Sequence, residues 1–150
     1  MDLKVLRNDS AKRFPMLAIK KEGDVGLDLA CTLDGPEYNG VFTVQPGERR
    51  LLPTGIHIEL PEGYWASIEA RSSTSKLGII IPKGVIDEGY RGEMFAQVMN
   101  VGNNPVTIKD GDRIIQLIVH RRHIKDMNIV EVDELSPSER GETGFGSTGR

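Results

Sequence analysis

The sequence predicts an all-β fold, a β-sandwich or jelly roll built as a single domain. Three observations carry that expectation. Apolar and polar residues alternate over short runs, the period of a half-buried strand. Eight prolines and seventeen glycines are spread along the 150 residues, so turns punctuate the whole chain instead of one linker. No stretch carries the 3.6-residue period of a long amphipathic helix, and no internal repeat is visible. A chain of this length is large enough for one core and too short for two.

The elements follow in order. Ile56, Ile58 and Leu60 alternate with His57 and Glu59, Pro61 to Tyr64 turns the chain, and residues 65–70 extend again, which predicts a hairpin with one buried face. Residues 72–77 are the one helical candidate, because Ser and Thr can cap a short turn. The stretch from Gly84 to Gly92 reads as a second hairpin, with Gly89 or Gly92 supplying a positive φ. Met94, Ala96 and Val98 repeat the alternation, residues 102–105 turn, 106–108 form a short strand and 109–112 turn again. Residues 113–121 and 128–132 complete the series.

Composition excludes several classes. The 19 Lys and Arg against 22 Asp and Glu leave a formal charge of −3, opposite to the basic excess of a general nucleic-acid binder. The basic run from His120 to Lys125 is expected to be a solvated strand end. Cys31, the single cysteine, can form neither an internal disulfide nor a zinc set. The His120 and His123 pair lacks a third ligand, and residues 109–112 hold too few carboxylates for calcium. Trp65 reads as core or subunit interface. With no signal peptide and no apolar run of membrane length, the expected location is the cytoplasm, with neither nucleic acid nor membrane as partner.

Reactive groups gather in the turns. Gly26-Leu27-Asp28-Leu29 sets one carboxylate between apolar strand residues, by itself an ordinary strand-edge Asp. In residues 70–76, Arg71 and Lys76 flank four hydroxyls and can neutralise phosphate, although the Walker glycines and the Gly-Lys-Ser/Thr ending are missing, so no ATPase is implied. Between Gly84 and Gly92, Asp87 can orient water and Tyr90 offers a flat wall to a sugar. Gln116 points away from the face of Ile115 and Leu117. The last eleven residues bring glycines at 141, 144, 146 and 149 and a single apolar side chain, Phe145, too little burial to offset ordering entropy. Their two arginines, the Ser147 and Thr148 hydroxyls, the glycine N–H groups and one ring suit a nucleotide with phosphates; a disordered Gly/Ser terminus is the plain alternative.

None of these is specific singly. In this order, residues 26–29, 71–73, 84–92, 113–117 and 140–149 resemble the five successive motifs of the trimeric deoxyuridine triphosphatase (dUTPase) family, from about residue 24 to the end. The resemblance implies a jelly-roll β domain over residues 1–135, a flexible Gly-rich arm over 136–150, and a homotrimer with active sites shared at subunit interfaces. It implies Mg²⁺-dependent hydrolysis of dUTP to dUMP and pyrophosphate by water attack at the α-phosphorus, which limits uracil incorporation into DNA and supplies dUMP for thymidylate synthesis.

By the same resemblance Asp87 orients the water, Asp28 assists through metal-bound water, and Gln116 with Arg71, Ser72 and Ser73 holds the phosphates. Gly84, Val85 and Ile86 present backbone to the uracil, and Tyr90 stacks on the deoxyribose and fills the space of a 2′-hydroxyl. Arg140 reaches the terminal phosphate, Phe145 covers the base, and Gly146, Ser147 and Thr148 complete the enclosure. Any regulatory protein partner is unknown. Four positions in three motifs depart from the family pattern: Ser73 and Thr74 follow Ser72 where Arg-Ser-Gly is usual, Thr143 replaces a common glycine, and Ile115 a common alanine. These bear on rate and affinity more than on reaction type. The related dCTP deaminases resemble a glutamate at the position of Gln97, which cannot shuttle protons as a carboxyl does. A nucleotide-responsive regulatory protein, switched by its tail, is the alternative of another class.

Overall fold

The computed structural model describes residues 1–142. Among them the strands are β1 (Lys4–Arg7), β2 (Gly26–Leu29), β3 (Val41–Val44), β4 (Arg49–Pro53), β5 (Ile56–Glu59), β6 (Tyr64–Ala70), β7 (Ile79–Ile80), β8 (Gly84–Ile86), β9 (Phe95–Asn100), β10 (Val106–Lys109) and β11 (Ile115–Arg121). They form sheets of order β2-β11-β6-β8, β4-β9-β7, β1-β5 and β10-β3, with antiparallel pairing. The alternation has its physical cause in the core: Ile56 and Ile58, Ala66 and Ile68, Ala96 and Val98, and Ile115 and Leu117 bury one face of each strand into one cluster with Leu29, Val44, Leu52 and Ile108. Among the described residues no helix is long and apolar enough to cross a membrane.

Partner choice differs from the local expectation in three places. Residues 56–70 are not a hairpin: β5 pairs with β1, while the seven residues of β6 match the seven of β11 and carry β8 on the other edge. The turn at Pro61 to Tyr64 (N···O 3.2 Å) passes the chain between sheets. Residues 84–92 likewise join two sheets, because β8 pairs with β6 and β9 with β4 and β7. Residues 128–132 make no strand, and Ile129, Val130 and Val132 stay exposed.

Local details depart too. The helical candidate is a 3-10 helix, Thr74–Leu77, whose cap residue Ser73 makes no side-chain capping bond. A single turn of α-helix, α1 (Asp9–Lys12), had no periodic signal and starts at Asn8, which accepts from Ala11 N at 2.9 Å. His120 is half-buried at the rim of the run: its ring stacks on Trp65 at 4.2 Å and Nε2 lies 2.9 Å from Ser67 Oγ, while Arg121 and residues 123–125 are exposed.

Asp110 ties α1 to the sheet edge. It accepts both Arg13 Nη atoms, at 2.7 and 2.9 Å, and Leu33 N at 2.7 Å. The Arg13 hydrogen bonds, then the Leu33 N–H, hold its carboxyl below its ordinary value of 3.8 against the opposing effect of burial. A depressed folded-state value stabilises above that ordinary value and is lost as pH falls through the depressed one. Asp110→Asn will therefore lower the melting temperature at pH 7, and the gap from the parent will close as pH falls below about 4; melting curves between pH 7 and pH 2.5 check this. Beside it, burial first and then the Asp112 and Asp110 carboxylates push the Cys31 thiol up to about 12, so it is no nucleophile at neutral pH.

Candidate functional site

The four-stranded sheet turns its outer face to the site. Its register places Asp28, Gln116 and Glu69 in one row across β2, β11 and β6. Asp28 Oδ1 accepts from Arg71 Nε at 2.8 Å, and Oδ2 pairs with Lys20. Arg71 is held further by Nη1 on Arg113 O at 2.7 Å, and Gln116 Nε2 donates to Ala70 O at 3.0 Å. Gly26 leaves room for that side chain: a Cβ there would stand 2.0 Å from Gln116 Oε1. Three predicted residues, Asp28, Arg71 and Gln116, thus form one polar edge carrying a carboxylate, a guanidinium and a carboxamide.

Ser72 and Ser73 follow Arg71 and are exposed at the start of the 3-10 helix. The unusual Thr74 serves structure: it is buried, and its hydroxyl donates to Ile114 O at 2.6 Å, pinning this loop to the edge of β11. Ile115 is also buried, on the side of β11 opposite Gln116, so its bulk does not reach the site.

Along β8 the period of two divides the predicted substrate residues. Gly84 and Ile86 line a cavity of about 160 Å³ together with Tyr90 and Gln97, the size class that admits one six-membered ring. Val85 and Asp87 face the other way, into an open groove of about 640 Å³ shared with Trp65 and His120. Tyr90 folds back over Gly92, with its N on Asp87 O at 3.0 Å and its hydroxyl on Glu93 O at 3.2 Å. Glu93 Oε1 in turn accepts Thr54 N at 3.1 Å and Gly55 N at 2.8 Å, anchoring the Tyr90 turn to the β4–β5 connection.

Sequence reasoning missed Lys20, Glu93 and the structural use of Thr74. Lys20 lies in a stretch without periodicity, and the partners of Glu93 are about forty residues away, so no local signal marks either. The two halves of the site are also far apart. Ile86 is three strand positions across from Asp28 and three residues along, roughly 17 Å between Cα atoms, with Asp87 next in the chain. Arg140 lies in the exposed stretch after the last sheet strand. Thr143, Phe145, Gly146, Ser147 and Thr148 lie outside the described residues. No group of three or more His, Cys, Asp or Glu that could cage a metal occurs among the described residues.

A mostly β chain thus carries an Asp–Arg–Gln edge at one end of its four-stranded sheet and, at the other, a ring-sized cavity between β8 and the β4-β9 pair. The family model described as dUTPase matches residues 12–149. A deoxyuridine 5′-triphosphate nucleotidohydrolase of Caldanaerobacter subterraneus subsp. tengcongensis is 43% identical over 150 residues, covering 98% of this chain and 97% of that protein. Its counterpart in Thermoanaerobacter sp. is 40% identical, with the same coverage. The solved structure of Staphylococcus bacteriophage 80alpha dUTPase with dUPNHPP superposes with a TM-score of 0.83 at 25% identity, covering 99% of each chain. The chain belongs to the dUTPase family.

Proposed function

We propose that this chain is a dUTP diphosphatase, which hydrolyses dUTP to dUMP and pyrophosphate with Asp87 orienting the water that attacks the α-phosphorus. The observation that carries the site reading is the division along β8: a ring-sized cavity between Gly84, Ile86 and Tyr90, and the Asp87 carboxylate on the adjoining face. Backbone groups of 84–86 select uracil. Cytosine reverses two donor–acceptor positions and leaves buried groups unpaired, at about 1–3 kcal/mol each. Gln97, on the wall of the same cavity, has no carboxyl with which to shuttle protons at the base, which disfavours deamination.

Arg71, Ser72, Ser73 and Gln116 grip the phosphates and hold the α-phosphorus in line for the water. Asp28, its oxygens already shared with Arg71 and Lys20, suits a single contact to a metal-bound water better than direct coordination. With no carboxylate cage among the described residues, the donor set fits Mg²⁺ carried mainly by the triphosphate, where it supplies charge neutralisation for the leaving pyrophosphate. Arg140 reaches the terminal phosphate, and Phe145, Gly146, Ser147 and Thr148 close the site as an arm over 136–150.

Separation of the two halves supports a site assembled between copies. With Ile86 and Asp28 roughly 17 Å apart between Cα atoms, Asp87 and Asp28 do not meet on one phosphate within one copy. The exposed Ile129, Val130, Val132 and Leu135 supply apolar surface for assembly. A homotrimer meets both needs by cyclic closure.

The direct test is pyrophosphate release from dUTP, dCTP, dTTP and UTP, each with and without Mg²⁺. Release from dUTP alone is expected, and no release from any of the four would overturn the reading. Tyr90 gives a second check. A Cβ at Gly92 would lie 2.2 Å from the Tyr90 hydroxyl, so Gly92→Ala displaces the ring from the sugar wall. The dUTP over UTP ratio of kcat/KM is expected to fall about tenfold, as one lost steric contact is worth, with an unchanged ratio arguing against Tyr90 as the discriminator.

A further inference from the structure

Asp87 is exposed, and among the described residues no group donates to its carboxylate, so its place is set by its backbone. That backbone is a turn loosened by Gly89 and Gly92. Glu88, the next residue, turns inward with 27% of its side chain exposed. Its Oε2 accepts Gly63 N at 2.9 Å and pairs with Arg122 Nη2 at 3.1 Å. Gly63 and Arg122 directly flank the Tyr64–Arg121 end of the long β6–β11 ladder, and Arg122 N closes that end on Gly63 O at 2.7 Å. The Glu88 carbonyl also accepts Arg91 Nη1 at 2.9 Å. The turn carrying Asp87 is thus bolted to the most extended pairing in the sheet through one side chain.

We infer that Glu88 is a positioning residue for hydrolysis, its clamp on Gly63 and Arg122 holding the Asp87 carboxylate at the attacking water. The inference rests on the role proposed for Asp87. A charged acceptor with two donors holds geometry better than a neutral contact, and among the described residues the Arg122 guanidinium forms its ion pair with Glu88, its buried Nε making no hydrogen bond there. A displacement of about 1 Å at a reacting group costs on the order of 10²-fold in rate.

Glu88→Ala, Glu88→Gln and Asp87→Asn are compared in the full chain for dUTP kinetics, affinity for the non-hydrolysable analogue dUpNHpp, and melting temperature. Glu88→Ala is expected to lower kcat by about 10- to 100-fold while KM and analogue affinity stay within about twofold. Glu88→Gln keeps an acceptor for Gly63 N and is expected to restore most of kcat. A kcat for Glu88→Ala within about twofold of the parent, or kcat, analogue affinity and melting temperature falling together in both Glu88 variants, overturns the inference. An active Asp87→Asn removes the reading of Asp87 and the inference with it; an inactive Asp87→Asn beside a normal Glu88→Ala removes the Glu88 inference alone.

Discussion

Asp87→Asn will slow pyrophosphate release from dUTP by about 10²- to 10⁴-fold, the range that positioned proton-transfer groups contribute, while leaving dUpNHpp affinity nearly unchanged. The carboxylate aims a water, and the isosteric amide keeps the size but loses the acceptor pair that aims it. The mutation touches no packing, because the side chain makes no hydrogen bond among the described residues and faces an open groove. Stability should therefore be untouched and the loss should fall on kcat. Turnover within a few-fold of the parent would remove Asp87 from the mechanism.

Deleting residues 140–150 will leave a folded protein of unchanged oligomeric state whose dUTP turnover falls by at least about 10²-fold, the scale of removing oxyanion and phosphate contacts. Among the described residues the core cluster draws none from beyond β11, which supports folding without the segment. Its arginines, hydroxyls, glycine N–H groups and single ring instead match what the triphosphate and base present. Size-exclusion chromatography with light scattering, followed by the pyrophosphate assay, checks both halves. A monomeric truncation would assign the segment to assembly, and normal turnover would remove it from the site.

Much of the candidate site was legible because its proposed chemistry is carried by residue types within short turns. Arg71 with its hydroxyls, Asp87 with Tyr90, and Gln116 on the polar side of β11 each stand out over fewer than ten residues. What those residues lean on was not legible. Lys20 on Asp28, Thr74 on Ile114, Glu93 on the β4–β5 connection and Glu88 on Arg122 are contacts between distant or aperiodic segments, for which spacing carries no signal. The departures at Thr74 and Ile115, expected to bear on rate and affinity, are packing positions: one is buried under the loop and the other faces the core.

By itself the sequence determined the strand character of β5, β6, β9, β10 and β11 to within two residues at their ends, because side-chain alternation is a local consequence of the pleat. It determined the types of reactive group and the order in which they arrive. Only the tertiary structure decided which edges pair: β5 with β1 instead of β6, β8 with β6 instead of β9, and, among the described residues, no strand partner for residues 128–132. Backbone edges are chemically alike, so pairing is settled by which faces bury together, and that choice sets Asp28, Arg71 and Gln116 side by side with Asp87 a sheet's width away.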